Sequence, residues 1–479
     1  MLGDSEFMPD FWEKVEKYKK LGLDPLKWVA GCAVKVDLTT VVYPALHKIK
    51  PHLKELGVTV NPREDADIFP TPIDGVEFQR RVFDLNNIRV DPEDLSKLNP
   101  SRGISLVQVH QRRAESADAF AEVLLNLYEK IGTAKVRFTV GKGHSIITAY
   151  PDAEFALFDF ANTDRRAKEG WTLANNDTIQ VIDPTDDPGS AAQTYVAISN
   201  SLNDLVTLGA YENLQVYPVL DAPSEELFGQ MQGHMKEFCS RWGIELVPRE
   251  SVNRGKLLIG ATVVGQNTHE LPVFAEKLEA GMKVLVSRPL GDLAPINVYL
   301  SCLADEEYLK ALEKVGFSLR EVEDAKNSVI ETMKMPNIKI GKIIHKNSPG
   351  FGQPFRKDEH IAETGDVSGP GIYIFKELAE LAKVDVKLDQ IPLIYPDYVR
   401  FASNNYLMDN GTAGTNGAVA IVASDDVVER VKSELAKEGY QPEVMGTILG
   451  KGEGKVFVGE EVKELIASKN LLDEFIITK

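Results

Sequence analysis

Apolar and polar positions switch between two periods along this chain, and the switches mark its elements. Residues 214–220 read as a strand, after which Ser224 offers an N-cap oxygen. Leu227, Met231, Met235, Phe238 and Trp242 then recur at helical spacing until Gly243, whose missing Cβ suits a left-handed helix end. Strands are expected at 244–247 and 257–265. The second half shows the same alternation, in which 417–423 is a small apolar strand, Ser424 caps a helix over Val427, Val428, Val431 and Leu435, and Gly439 stops it. Helix and strand signals alternate through most of the chain, which predicts mixed α/β layers rather than an all-helical or all-β domain.

The same pattern divides the chain. Residues 266–281 contain Pro272 and a charged, helix-like run before a strand resumes at 283–287, which places a boundary near 280. Residues 44–135 hold scattered prolines, charged clusters and one amphipathic helix near 117–131, and read as an insertion or extra subdomain. The expected division is a 1–43 segment, the 44–135 insertion, a 136–279 unit and a 280–479 unit. Residues 345–360, with Asn-Ser-Pro-Gly-Phe-Gly, have the composition of a mobile flap.

Composition narrows the function. A length of 479 residues is room for two or three domains at about 150 residues each. A net charge of −18 without a basic patch argues against a nucleic-acid partner. The three cysteines, Cys32, Cys239 and Cys302, lie far apart without metal-ligand spacing, and a reducing compartment fits them best. The first residues are acidic where a secretory leader would be basic, and no run approaches the roughly 18 apolar residues of a membrane span. A cytoplasmic protein with no membrane partner is expected.

Three stretches could carry chemistry. In 28–35, Cys32 beside Gly31 has Lys35 three residues on; the ammonium could hold a thiolate or meet a phosphate, while the plainer alternative is a small buried Cys beside a surface Lys. In 181–188, an Asp-Pro-Thr-Asp-Asp-Pro run precedes a helix expected at 191–209, where Asn200 and Asp204 stand one turn apart on one face, next to Asn203. Carboxylates from both could meet Mg²⁺, which takes a few oxygens and leaves the rest to substrate phosphates; a turn and a solvated helix face are the alternatives. In 363–371, Glu-Thr-Gly-Asp-Val-Ser-Gly-Pro-Gly leads into an apolar helix, so that free N–H groups could cradle phosphate and Asp366 hold a metal; a plain left-handed turn and N-cap is the alternative. The 140–145 stretch, Val-Gly-Lys-Gly-His-Ser, lacks Walker A spacing. The eight histidines are scattered without ligand spacing, Cys239 falls in the apolar 224–242 helix and reads as core, and Cys302 is uninformative.

Taken in order, Gly-Cys-x-x-Lys, Asp before an Asn-x-x-x-Asp helix, a Gly-x-x-x-Val-x-Gly strand, Ala-Gly-x-Lys-Val-Leu-Val-Ser-Arg-Pro-Leu-Gly and Gly-Asp-Val-Ser-Gly-x-Gly resemble selenophosphate synthetase (selenide, water dikinase), in the superfamily of aminoimidazole ribonucleotide synthetase. The stretches at 28–36, 178–291 and 361–424 carry the likeness, with Arg288 where the family has lysine. The resemblance implies an α/β (α+β) fold of two domains, with a ferredoxin-like sheet in the N-terminal half and an α/β C-terminal half. It implies a homodimer that binds ATP and Mg²⁺ and turns ATP, water and selenide into selenophosphate, AMP and phosphate. By it, Cys32 handles the chalcogen and Lys35 is the catalytic lysine. Asp186, Asp204 and Asp366 bind metal, while Asn200, Gly365, Ser368 and Gly369 face the nucleotide. The family's Asp-Asp-Ala-Ala-Val strand has no counterpart here, and Pro248-Arg-Glu-Ser251 replaces its Gly-Gly-His-Ser turn. Another ATP-dependent synthetase or kinase of the superfamily, and a non-catalytic nucleotide-binding relative, are the alternatives.

Overall fold

The computed structural model describes residues 7–21, 48, 51, 52, 55, 118, 121, 125, 138–140, 146–149, 170–179, 181–247, 257–369, 371–405, 407–408, 410–414, 416–467 and 469–478. Cys32, Lys35, most of the 44–135 insertion, residues 141–145 and residues 248–251 lie outside them. Within the helix expected at 117–131, Asp118, Ala121 and Leu125 are helical, and Ala121 and Leu125, one turn apart, are buried.

Two sheets share the described residues, giving the mixed α/β architecture that the patterning predicts. The first contains β1 (Phe138–Val140), β2 (Ile146–Ala149), β3 (Trp171–Ile179), β4 (Glu212–Asp221), β5 (Glu245–Leu246) and β6 (Leu258–Asn267), in the order β1-β2-β3-β6-β4-β5. β3 and β6 pair antiparallel from Trp171↔Asn267 to Ile179↔Ile259. Helices α1 (Pro9–Lys20), α2 (Ala191–Thr207) and α3 (Glu225–Trp242) accompany it. α3 forms as its pattern requires: Ser224 Oγ accepts from the Leu227 N–H at 3.2 Å, Gly243 closes the helix at φ 65°, and Leu227, Met231, Met235 and Phe238 are buried.

The second sheet contains β7 (Lys283–Val286), β8 (Glu363–Asp366), β9 (Val384–Leu388), β10 (Val419–Ala423), β11 (Glu443–Lys451), β12 (Val456–Val458) and β13 (Ile476–Ile477), in the order β13-β12-β9-β11-β7-β10-β8. Its helices include α4 (Leu293–Ala304), α5 (Glu306–Lys314), α6 (Leu319–Met333), α7 (Ile338–Lys346), α8 (Ile374–Ala382), α9 (Pro396–Asn404) and α10 (Asp425–Lys437). Successive strand side chains point to opposite faces, and on β10 Ala420 and Val422 enter one apolar core while Val419, Ile421 and Ala423 enter another. Ser424 stands at the N-cap of α10, but its side chain makes no capping bond; Asp425 and Asp426 in the first turn complement the helix dipole instead.

α2 is the joint between the sheets. Of its 17 residues, 14 are buried, so its polar residues must find partners inside the protein. Ile198, Leu202 and Leu205 pack in the core of the first sheet, whereas Val196 and Val206 join the two cores flanking the second.

The expected flap at 345–360 is anchored instead. His345 and Lys346 form the last turn of α7, and the Ile361 N–H donates to Asn347 O at 2.8 Å, closing the loop at its base. The Phe355 ring lies 4.9 Å from that of Phe274, and Arg430 Nε donates to Asn347 Oδ1 at 2.8 Å. A polar, Gly/Pro-rich composition reports exposure; these contacts decide the anchoring.

Candidate active site

The polar side of α2 presents Asn200, Asn203, Asp204 and Thr207, one or two helical turns apart. Toward the first sheet, Asn200 Nδ2 donates to Asp177 Oδ2 on β3. Ser201 Oγ donates to the Asp177 carbonyl at 3.2 Å, and Asn175 Nδ2 donates to the Ser201 carbonyl at 2.9 Å. Toward the second sheet, Asn203 Nδ2 donates to Asp366 Oδ1 at the end of β8. Asn337 Nδ2 ties Asn203 Oδ1 at 2.9 Å to the Gly417 carbonyl at 2.6 Å, and Thr364 Oγ1 donates to the Thr207 carbonyl at 2.5 Å. One helix face thus collects a carboxylate from each sheet beside its own Asp204, which is 3% exposed.

Asp366 is partly buried, and desolvation pushes its pKa up to about 6, opposed by the Ser368 and Asn203 hydrogen bonds and by the positive charge of Arg288. Near neutral pH its carboxylate is therefore close to titration, a state that a nearby cation would resolve toward the anion. Arg288 is not a free phosphate ligand: it forms a buried ion pair with Asp292 at 2.6 Å, and its Nη2 also donates to the Asn416 carbonyl at 2.6 Å.

The phosphate cradle expected at 363–371 takes another form. β8 ends at Asp366, whose Oδ1 accepts from the Ser368 N–H at 3.0 Å. Ser368 Oγ accepts from the Gly417 N–H at 3.0 Å. The Gly371 N–H donates to the Val367 carbonyl and the Ile372 N–H to Thr412 Oγ1 at 3.1 Å. Those N–H groups are consumed because the turn is closed by its own strand and by the 410–414 loop. At φ 60°, Gly371 also lies so close to Thr412 that a Cβ would meet its backbone at 2.6 Å. Gly365 pairs with Ala420 on β10, and Gly369 accepts from the Gly414 N–H.

Asp186 sits apart from this network, in the loop before α2, where its carboxylate accepts from the Asp187 N–H at 2.8 Å. That loop is clasped by α1: Tyr18 Oη donates to the Asp186 carbonyl at 2.9 Å, Lys14 Nζ donates to the Thr185 carbonyl, and Lys17 pairs with Asp187. Its buried acid is Asp183, held by Lys326 Nζ at 2.5 Å and by Thr185. Among the described residues, no three acidic, histidine or cysteine side chains are gathered closely enough to enclose a metal ion. Cys239 is buried as expected and Cys302 is buried as well, and burial pushes both thiols up to about 12, which removes them as nucleophiles at neutral pH.

Asp177 and Asn337 were not among the expected site residues. The signal for Asp177 was the Trp-Thr-Leu-Ala-Asn-Asn-Asp-Thr-Ile segment itself, a strand ending in polar residues just before the acidic loop. Asn337 carries no such signal, standing directly before α7 after Met335-Pro336.

No family model matches the chain. It is similar to selenide, water dikinase of Methanocaldococcus jannaschii, 25% identical over 303 residues, or 62% of this chain and 82% of that protein. The resemblance carried by the motifs is thus met by a relative of the same kind. Among solved structures, thiamine-monophosphate kinase from Stenotrophomonas maltophilia is similar at a TM-score of 0.43, with 16% identity over 60% of this chain and 85% of that one. The hydrogenase maturation protein HypE of E. coli is similar at a TM-score of 0.40, with 19% identity over 63% and 86%.

Proposed function

We propose that this chain is an ATP-dependent phosphotransferase of the selenophosphate-synthetase kind, which passes a phosphoryl group to a chalcogenide or similar small nucleophile and releases AMP and phosphate. The observation that carries this reading is that Asn200 and Asn203, on one face of α2, each hold a carboxylate, Asp177 from the first sheet and Asp366 from the second, on the helix that also carries the buried Asp204. The likeness to selenide, water dikinase supports it.

The donor set fits Mg²⁺. Its atoms are hard carboxylate oxygens, and Mg²⁺ is commonly held by one or two carboxylates together with substrate phosphates rather than by a closed protein cage. Asp204 and Asp366 would hold it, with substrate phosphates supplying the remaining oxygens, and the ion would supply neutralisation of phosphate charge; Asp186 stands outside this pair. The chain's own contribution is orientation: Asn200 and Asn203 fix the Asp177 and Asp366 carboxylates by amide hydrogen bonds, so little reorganisation is left for the transition state. Ser368, Gly365 and Gly369 would lie beside the nucleotide. Cys32 would guide the chalcogenide, and Lys35 would neutralise the transferring group. The protein would act as a cytoplasmic homodimer.

Phosphorus NMR of the purified protein with Mg-ATP and selenide or sulfide tests the reading. A chalcogen-bonded phosphate signal together with AMP is expected, with loss of turnover in Cys32→Ser and in Asp366→Asn. ADP in place of AMP with another nucleophile would move the chemistry to a kinase of the superfamily, and Mg-ATP binding with no turnover of any kind would overturn the enzymatic reading.

A further inference from the structure

Two hydrogen bonds to Asp366 fall on one oxygen. Oδ1 accepts from the Ser368 N–H at 3.0 Å and from Asn203 Nδ2, and Oδ2 is the acceptor of neither. A single donor leaves a carboxylate able to swing about that bond, whereas two donors from different directions fix its plane. Whatever holds the two donors therefore decides where Oδ2 is presented.

Both donors trace back to one residue in the loop before β10. The Gly417 N–H donates to Ser368 Oγ at 3.0 Å. On the other side, Asn337 Nδ2 donates to Asn203 Oδ1 at 2.9 Å and, with its second hydrogen, to the Gly417 carbonyl at 2.6 Å. These bonds close a ring that runs from Asp366 through Ser368, Gly417, Asn337 and Asn203 back to Asp366. Each amide in it has one workable sense: Asn203 turns its nitrogen to the carboxylate, which leaves its oxygen for Asn337, whose nitrogen then serves both acceptors. Asn203 and Asn337 are buried, so a broken link leaves an unpaired polar group rather than a hydrated one.

Gly417 is the member that the ring cannot exchange. Its φ is 96°, and a Cβ there would collide with the Asn337 amide. It is also pinned from behind, because Arg288 Nη2 donates to the Asn416 carbonyl at 2.6 Å, and that carbonyl shares a planar peptide unit with the Gly417 N–H. The guanidinium reaches it while gripping Asp292 at 2.9 and 2.6 Å, since its donors form a rigid fork. Asn416 Nδ2 ties the same segment to the Met333 carbonyl at the end of α6 at 3.0 Å. We infer that the 416–417 peptide, set by Arg288, is the positioning element of the carboxylate site. Through Ser368 on one arm and Asn337 on the other it locks Asp366 Oδ1 and leaves Oδ2 to a divalent cation. The inference rests on the cation-binding part of the phosphotransfer reading, and Gly417, Asn337 and Arg288 are positioning residues, since each acts through another side chain.

Mn²⁺, a paramagnetic stand-in for Mg²⁺, is the probe, and its binding to the full-length protein without nucleotide is read from the loss of the free-ion EPR signal. The relevant site is the one that Asp366→Asn removes. Asn337→Ala opens one arm of the ring and Ser368→Ala the other, and each should weaken Mn²⁺ at that site by about tenfold, the scale of losing a group that orients a ligating carboxylate. Because either break frees the carboxylate, the double variant should lose about the same tenfold rather than the product of the two. Arg288→Lys keeps a charge for Asp292 and gives up the fork; it should weaken Mn²⁺ in the same direction, and it serves as the further variant should either arm's variant fail to fold. A merely structural role would lower the urea midpoint of these variants and leave the Mn²⁺ affinity of the folded protein unchanged. That result, losses that multiply in the double variant, or the lack of any site that Asp366→Asn removes would each overturn the inference. None of these readouts uses ATP turnover, so a ring that fails to position Asp366 and a chain that transfers no phosphoryl group give different results.

Discussion

Replacing Asp366 with asparagine separates stability from function at the proposed site. The asparagine keeps an Oδ1 that can accept from the Ser368 N–H and from Asn203 Nδ2, so the hydrogen-bond frame survives and only the charge is removed. The wild-type carboxyl has its pKa raised by burial from 3.8 to about 6. Its ionisation is therefore harder in the folded state, and the corresponding stability is fully present below pH 3.8 and lost as pH rises through about 6. A shift of roughly two units corresponds to about 3 kcal/mol for a fully enclosed group, and partial exposure reduces this to about 2 kcal/mol. Asp366→Asn should accordingly match the wild type in urea unfolding near pH 4 and exceed it by about 2 kcal/mol at pH 8. ATP turnover should fall by at least about 100-fold at the same pH, the scale of losing one preorganised electrostatic contact. A variant less stable than wild type at pH 8, or a stability difference independent of pH, would refute the assignment of a strained, ionisable Asp366. Undiminished turnover would remove it from the active site.

Two other perturbations follow from the same structure. Lys326→Met strands the buried Asp183 carboxylate and should cost about 3–5 kcal/mol in urea unfolding, with Asp183→Asn in the same chain restoring part of the loss. The neutral His345 has a folded pKa lowered from 6.5 to about 4, so the stability it contributes is present above pH 6.5 and lost as pH falls toward 4; His345→Gln should flatten that acid limb in a pH series of thermal melts.

What was legible in the sequence was whatever local patterning decides. α3 with its Ser224 cap and Gly243 stop, and β10 followed by α10, rest on periodicity and turn chemistry within a few residues. Asn200 and Asp204 were likewise readable as one face of α2. Their partners were not: Asp177 lies 23 residues from Asn200, and Asp366 lies 163 from Asn203. Nothing local reports which strand end a helix face will meet. The turn after β8 failed for a related reason, because the Gly/Pro composition that signals open N–H groups also permits the close approach of Thr412 that occupies them.

The Asn203–Asn337 link raises the question of why a helix as buried as α2 keeps amides where apolar side chains would pack without partners. An apolar face could settle against the second sheet at several neighbouring positions, whereas an amide that must reach both Asp366 and Asn337 accepts one. Replacing Asn203 and Asn337 together with leucine tests whether the pair specifies position rather than stability. Removing both avoids stranding either amide, but it leaves the Gly417 carbonyl and the Asp366 carboxylate each short of one donor, so a loss of about 1–3 kcal/mol is expected. Asp366 loses the hydrogen bond that favours its anion, so its pKa should move further up, readable as a shift of the carboxyl carbon titration in NMR. Turnover should fall and its pH profile move toward alkaline values in parallel. A double variant that loses several kcal/mol yet keeps the wild-type pH profile would mean that the two asparagines hold the sheets together and leave the carboxylate's acidity to burial alone.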